Sequence, residues 1–333
     1  MKNHNNDSKA GTDVEIKEPI VVVGIGGAGS RLAVTSSKLL GCKCVLISNN
    51  KKDLHHNCLS IFIDSNSWVN PSSYKIRSFA QSSAFTIKSA LNDFKTVIVI
   101  ANLAGRAGTA IAPLVCKEAK LSTQNTTIIS FAIMPFRFEK DRIFQAGVSL
   151  NRLRDISDAT IIIDNDALLD NNPELSCEDC YKITNAAFCE VISGVCNGYV
   201  YRNMNLLCTG NIGSTGAESS IKDSLAMLYQ NADPVSIKRA IVHVMGGEKV
   251  PIGILDSIAS NLQAILNNER IAEVSMCMSS SDNVRVHLMA SVGGKTRFDK
   301  YDPIAEIIPK QNVLDWDEMD SSPDIELQIP NLE

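Results

Sequence analysis

A chain of 333 residues with 44% hydrophobic side chains and a net charge of −5 is long enough for two domains around a large core. With no sizeable basic block it excludes nucleic acid as a main partner. Its longest apolar runs, PIVVVGIGG, VIVIANLAG and TTIISFAIM, fall short of the ~20 residues that cross a bilayer, which excludes direct membrane insertion.

The polar opening MKNHNNDSKAGTDVEIKE has no apolar stretch of the kind a secretory leader needs, and residues 1–18 read as a flexible arm. From Pro19 the pattern alternates strand and helix. IVVVG is a buried parallel strand by composition. A helix follows from Ala28 to Leu40, then the strands CKCVLIS and LSIFID. A helix is predicted over 78–94, then the strand TVIVIAN, a helix through AGTAIAPLVCKEAK, the strand TTIISFAIMP, a helix through DRIFQAGVSLNRLRDIS and the strand ATIIIDN. The alternation predicts a doubly wound, mostly parallel α/β sheet over residues 19–176. One long helix is predicted through DCYKITNAAFCEVISGVCNGYVYRN, with Phe188, Val191, Ile192, Val195 and Tyr199 as its apolar stripe; it makes 177–202 a central helix. The strand MNLLCTGNIG, the helix AESSIKDSLAMLYQNA, the strand IKRAIVHVMGG, a helix opening on Pro251 and the strands AEVSMCMS and DNVRVHLMASV form a smaller α+β domain over 203–296. Residues 297–333 read as an acidic tail.

The ten cysteines, Cys42, Cys44, Cys58, Cys116, Cys177, Cys180, Cys189, Cys196, Cys208 and Cys277, read as free thiols of a reducing, cytoplasmic setting. The single CxxC, Cys177 to Cys180, has no second pair, and no histidine falls between residues 57 and 242, so no metal site is expected. His55-His56 reads as a solvated turn.

GIGGAGS, Gly24 to Ser30, sets Gly24, Gly26 and Gly29 at G-x-G-x-x-G spacing between a strand and a helix. Bare backbone there turns tightly, and the helix N-terminus attracts an anion. A dinucleotide site also wants an acid closing the second strand. That strand ends in Ser48-Asn49-Asn50, which opposes an NAD(P) enzyme, as does the lack of a catalytic His/Cys/Ser constellation. GGKT at 293–296 is no phosphate loop of the Walker kind, because Met289 stands where its first glycine is required.

A second glycine loop, NLAGRAGTAIAP from Asn102 to Pro113, follows a later strand. With two such loops in this order the chain resembles the FtsZ/tubulin superfamily, of prokaryotic or archaeal type. Gly24, Gly26, Gly27, Ala28, Gly29 and Ser30 match the family's first phosphate loop. Ala104, Gly105, Arg106, Ala107, Gly108, Thr109 and Ala110 align with its signature GGGTGTG, of which Gly105, Gly108 and Thr109 are kept. Asn70-Pro71 resembles its third loop without the glycines. MPFRFEKDR resembles its sugar loop and implies ribose and phosphate contacts for Glu139 and Arg142. IIIDNDALL resembles the segment that places Asn165 in the base pocket, where Tyr181 and Asn185 would also stand. The resemblance spans residues 19 to about 296 and implies GTP or GDP as ligand, with Mg2+ as its companion ion.

The departures fall on the chemistry. The family's loop after the central helix supplies acids that position the attacking water in the neighbouring subunit's site. Here the matching stretch is RNMNLLCTGNIGS. Aligning Asn205 with the loop asparagine puts Leu207 and Gly210 in the acid positions; alternatively the loop and the helix after it are deleted. Neither leaves an acid, so no catalytic residue is assigned. Arg106 either pairs with phosphate or points to solvent or fills the terminal-phosphate space. Ala186 replaces the base-pocket aspartate, which weakens guanine selection. The tail's Ile329, Pro330 and Leu332 match the family's terminal partner peptide, an apolar motif on an acidic tether. The resemblance thus implies an FtsZ-like cytoskeletal, cell-division-type protein that assembles head to tail with itself or another FtsZ-like subunit. Its tail would dock to a division or membrane-anchor protein, and GTP hydrolysis would be weak or absent. The rivals are a GTPase with relocated acids, such as Asp223 or Glu218, and a nucleotide-independent scaffold or regulator of a catalytically intact FtsZ.

Overall fold

The computed structural model describes residues 13–65, 71–122, 125–197, 200–210, 217–246, 250–266, 273–279 and 285–305. Most of the expected N-terminal arm, Asn70 of the third loop, and the tail's Ile329, Pro330 and Leu332 lie outside the described residues. One compact unit runs to Asp302, and a second comprises Pro303–Glu333.

Short apolar runs become central strands. Thus β1 (Asp13–Val14), β2 (Ile20–Ile25), β3 (Lys43–Ser48), β4 (Leu59–Phe62), β5 (Thr96–Asn102), β6 (Thr127–Ile133) and β7 (Ala159–Ile163) alternate with α1 (Gly26–Leu40), α2 (Ser73–Ser82), α3 (Ala84–Leu91), α4 (Arg106–Ser122) and α5 (Lys140–Ile156). Then come α6 (Asp166–Asn171), the central helix α7 (Cys177–Asn197), β8 (Val200–Tyr201), β9 (Asn203–Thr209), α8 (Ala217–Asn231), β10 (Ile237–Met245), α9 (Ile252–Leu266), β11 (Glu273–Ser279) and β12 (Arg285–Val292). Among the described residues one sheet has the order β11-β10-β12-β9-β7-β6-β5-β2-β3-β4. Its ladders are parallel except for β10–β12 and β12–β9.

The two faces of β2 show why the sheet is doubly wound. Val21, Val23 and Ile25 share a cluster with Ile87 and Leu91 of α3, Val115 of α4 and Leu150 of α5. Val22 shares the other with Leu32 of α1 and Phe188, Val191 and Val195 of α7. Alternate side chains of one strand thus bury against helices on opposite faces. Phe131 of β6 meets Phe188 edge-on, with ring centroids 4.8 Å apart. Helix ends follow local chemistry. Gly41 closes α1 at φ 61° and donates to Ser37 O. Ser176 opens α7, its Oγ accepting from the Asp179 N–H at 3.1 Å. Pro113 sits inside α4 and cannot donate to Thr109 O, which accepts from Ser149 Oγ at 2.8 Å instead.

Four details differ from the sequence expectation. The helix expected over 78–94 is two helices, because Ser72 Oγ caps Lys75 N–H and Ser83 leaves helical geometry at φ −97°, ψ 7°. Among the described residues the central helix ends at Asn197, short of the expected 202, because Val200 and Tyr201 pair with Val14 and Asp13. The C-terminal strands continue the first sheet, since β9 lies parallel to β7. Arg297–Tyr301, assigned to the tail from sequence, is a 3-10 turn held on α5 by Arg154–Asp299 at 2.7 Å and Asn151–Asp302 at 3.1 Å.

At the join of α7 and this sheet, His287 bridges Glu190 Oε2 (2.6 Å from Nε2) and Thr209 Oγ1 (3.0 Å from Nδ1). Its register partner His243 is buried, and its Nε2 has no partner among the described residues. Burial, reinforced by His287, pushes the His243 ring down to about 4. The folded ring therefore stays neutral while an unfolded one protonates near 6.5. That stability is intact above about pH 6.5 and is lost as pH falls toward 4, by on the order of 3 kcal/mol. His243→Leu is expected to flatten this acid limb when urea midpoints are compared between pH 7 and pH 4. An unchanged slope would assign the acid sensitivity to other groups.

Candidate functional site

The strand order reverses at β2, with β3 and β4 on one side and β5, β6 and β7 on the other. A crevice outside the carboxyl ends of such strands is where open α/β sheets take ligands. Both glycine loops lie there. In the first, α1 starts at Gly26 with φ 65°, and its N-cap, Ile25, has no side-chain cap. The first-turn N–H groups of α1 are therefore not claimed by a capping side chain, which suits an anion. Gly29 packs on Ile100 O of β5, so α1 sits against the sheet with no room for a Cβ.

In the second loop, Asn102 folds the turn. Its Oδ1 accepts from Ala104 N–H at 2.9 Å and its carbonyl from Gly105 N–H at 3.0 Å. Thr109 turns inward, its hydroxyl donating to Gly105 O at 2.5 Å. Arg106 is exposed at the first position of α4. The two loops touch: a Cβ on Gly26 would stand 3.2 Å from Ala107 Cβ and 3.9 Å from Gly108 N.

The loop after β6 adds a third wall. Glu139 Oε2 accepts from Phe136 N–H at 3.2 Å. Arg142 donates to Ala104 O at 2.8 Å and lies 3.5 Å from Glu139 Oε1. The two expected sugar-loop residues are thus held against the second glycine loop, and Arg142 braces that loop through its carbonyl. Phe136 stacks on Phe138 at 5.2 Å and meets the Tyr181 ring edge-on at 5.5 Å, joining this loop to α7. Burial first, then the Glu139 charge, raises the Tyr181 hydroxyl above its usual range. Beyond β7, Asn165 is buried, its Oδ1 accepting from Thr184 Oγ1 at 2.6 Å, while its Nδ2 has no partner among the described residues. The buried Ser30 Oγ has none either. Asn185 is half-buried on α7, one residue past Thr184.

Sequence reasoning missed several contributors. The second strand does lack a terminal acid, but a 3-10 turn capped by Asn50 brings Asp53 back to it. Ser48 Oγ donates to Asp53 Oδ2 at 2.7 Å, and Asp53 Oδ1 lies 3.0 Å from where a Gly27 Cβ would be. A carboxylate thus stands beside the first turn of α1. Asn102 and Thr184 were also missed; their signal was a polar residue at a strand end and inside a helix. Next to Asn165, Asp164 pairs with Arg297 at 2.5 Å, Arg297 lies 3.5 Å from Asp166, and Arg137 pairs with Asp166 and Asp170. Burial raises the Asp164 carboxyl, against the pull of Arg297.

The stretch aligned with the family's acidic loop is sheet. Asn205 and Leu207 lie in β9, opposite Ser291 and Met289, and Asn205 donates to Tyr201 O at 2.8 Å. Glu218 and Asp223, the alternative acids, stand on α8. Cys177 is exposed and Cys180 buried, so the CxxC side chains do not share an environment. No described helix is long and apolar enough to cross a membrane.

Residues 43–173 match the family model described as Tubulin/FtsZ family, GTPase domain. Cell division protein FtsZ 2 of Halobacterium salinarum is 27% identical over 204 residues, which is 55% of this chain and 51% of that protein; the match therefore spans about half the relative's length. Among solved structures, an FtsZ dimer from M. jannaschii, solved empty, superposes with a TM-score of 0.64 at 22% identity, over 83% of this chain and 88% of that one. CetZ2 from Haloferax volcanii, solved as a GTPγS-bound protofilament, gives 0.62 at 18% identity, over 84% and 95%. The family match takes in β3 to β7 and the second glycine loop; the first, Gly24 to Ser30, precedes it.

Proposed function

We propose that this chain, a divergent member of the FtsZ/tubulin superfamily, is an FtsZ-like cytoskeletal, cell-division-type protein that binds a guanine nucleotide in the crevice and assembles head to tail without efficient hydrolysis. The observation that carries the reading is the meeting of two helix-opening glycine loops, Gly26 against Ala107 and Gly108, at the switch point of the sheet. The residues fit an anionic nucleotide. The first-turn residues Gly26 to Ala28 of α1 and Arg106 to Gly108 of α4 offer backbone N–H groups to phosphates, Glu139 suits a ribose hydroxyl, and Tyr181, Asn185 and the unpartnered Nδ2 of Asn165 suit a base edge. No cluster of three metal-ligating side chains occurs among the described residues. Mg2+ would accompany the phosphates, whose oxygens are its usual ligands.

Hydrolysis needs a group that orients and deprotonates water. From Asn197 through Asn205 the chain contains no carboxylate, and leucine and glycine offer no proton acceptor. Slow turnover would leave filaments static, or leave the protein to regulate the filaments of a hydrolysing relative. That CetZ2 was solved as a GTPγS-bound protofilament supports self-association, and a head-to-tail contact would be heterologous, extending rather than closing. In this reading the terminal peptide, Ile329, Pro330 and Leu332, serves a division or membrane-anchor partner.

Calorimetric titration of nucleotide-stripped protein with GTP, ATP and NAD tests the site. GTP is expected to bind at least tenfold more tightly than either control, a difference of about 1.4 kcal/mol or more, with phosphate release at the level of a no-enzyme blank. Equal or absent binding of all three would sink the nucleotide reading. Phosphate release rising steeply with protein concentration would replace it with an active GTPase using relocated acids.

A further inference from the structure

Two thiols near one edge of the sheet belong to no part of the crevice. Cys44 is the second residue of β3, and Cys58 immediately precedes β4. The ladder pairs Val45 with Leu59 in parallel, so one step back sets Cys44 beside Cys58. Neighbouring strands lie ~4.8 Å apart, within the ~4.4–6.8 Å between Cα atoms that a disulfide spans. The Cys44 thiol is within hydrogen-bonding reach of the Cys58 thiol. Both are free and half-buried, and both pack at the margin of the same apolar cluster. Access is open on the β4 side, an edge strand on which Leu59 is 55% exposed. Cys116 and Cys208, by contrast, are fully buried.

We propose that Cys44 and Cys58 form a reversible oxidation site, closed to an intrachain disulfide by a low-molecular-weight disulfide. The Cys58 thiolate attacks one sulfur of the reagent and forms a mixed disulfide, and the other half leaves as a thiolate that takes a proton. The Cys44 sulfur, giving its proton to solvent, then attacks the Cys58 sulfur and expels the second thiol. Two protein thiols are oxidised and one small disulfide is reduced to two thiols. Burial, then Cys58 itself, pushes the Cys44 thiol up to about 12, so Cys44 is not the first attacker; the part of that push owed to the Cys58 thiol ends once Cys58 is capped. The product would staple edge strand β4 to β3. The loop so closed carries Asp53, beside Gly27, so oxidation would restrain one wall of the crevice; that consequence rests on the nucleotide reading, whereas the disulfide does not.

The test is to treat the full chain with glutathione disulfide, alkylate the remaining thiols and map peptides by mass spectrometry. The expected product links Cys44 to Cys58, reverts with dithiothreitol and raises the urea midpoint. Cys44→Ser should trap the glutathione adduct on Cys58, whereas Cys58→Ser should leave Cys44 unmodified; circular dichroism of both confirms that they fold. Cys58 staying reduced, a stable adduct on unaltered protein without a link, or Cys44 joined to another cysteine would overturn the proposal. A link that forms while GTP binding is absent leaves the oxidation site standing and removes only its effect on the crevice.

Discussion

Gly108→Ala is expected to cost about 2–3 kcal/mol of stability in urea unfolding and to remove nucleotide binding. The substitution is the smallest one available, and its cost comes from where the methyl group must go. A Cβ on Gly108 would run into the Asn102 carbonyl oxygen, with Asn102 C at 2.8 Å and Asn102 N at 3.3 Å. That backbone cannot yield cheaply. Asn102 pairs with Ile133 in the sheet, and its carbonyl accepts from Gly105 N–H. Helix α4 must therefore lift from the end of β5, the kind of overpacking that costs about 1–3 kcal/mol and occasionally more. Lifting α4 also parts the contact between the two glycine loops. Gly253→Ala is the control: Gly253 lies in α9 with nothing within 4 Å of its Cβ position, so alanine there should stabilise by about 0.5–1 kcal/mol. Equal effects at the two sites would mean that close approach at Asn102 does not limit the fold.

Arg297→Met should destabilise the protein by about 3–5 kcal/mol at neutral pH, and acid should relieve the loss. Asp164 is buried; its charge is met by Arg297 at 2.5 Å and by the Asp166 N–H at 3.0 Å. Methionine replaces the arginine stem without its charge and strands the carboxylate. Burial already holds this carboxyl above its ordinary value, and losing Arg297 raises it further. A folded-state value above the unfolded one means that stability is greatest when the group is protonated and declines as pH rises through the folded value. The gap between Arg297→Met and the parent should therefore narrow as pH is lowered through the raised value of Asp164. Combining Arg297→Met with Asp164→Asn should recover part of the loss at pH 7, because the stranded charge is gone. A deficit that is the same at every pH, and that Asp164→Asn leaves unchanged, would show that Arg297 acts by packing alone.

The parts of this molecule legible in sequence are those set by local periodicity. Continuous runs such as IVVVG and TVIVIAN bury both faces and can only be central strands; the glycine spacing at Gly24, Gly26 and Gly29 marks a strand-to-helix turn. The helix boundary at Ser83 and the stop at Asn197 were not legible. The first depends on a backbone kink, and the second on Val200 and Tyr201 finding Val14 and Asp13, far away in the chain.

Of the candidate site, spacing in the sequence marked the two glycine loops, the resemblance to the FtsZ/tubulin superfamily implied Glu139, Arg142, Asn165, Tyr181 and Asn185, and the lack of a carboxylate from Asn197 to Asn205 is a matter of residue type alone. Only the tertiary structure decided that Arg142 braces the Ala104 carbonyl, that Asp53 stands beside the first turn of α1, and that Arg297 crosses from beyond β12 to neutralise Asp164. The physical reason is one of range. Backbone turns and helix starts are specified within a few residues, whereas charge pairing is decided by what the folded sheet brings together, here across 133 residues of chain.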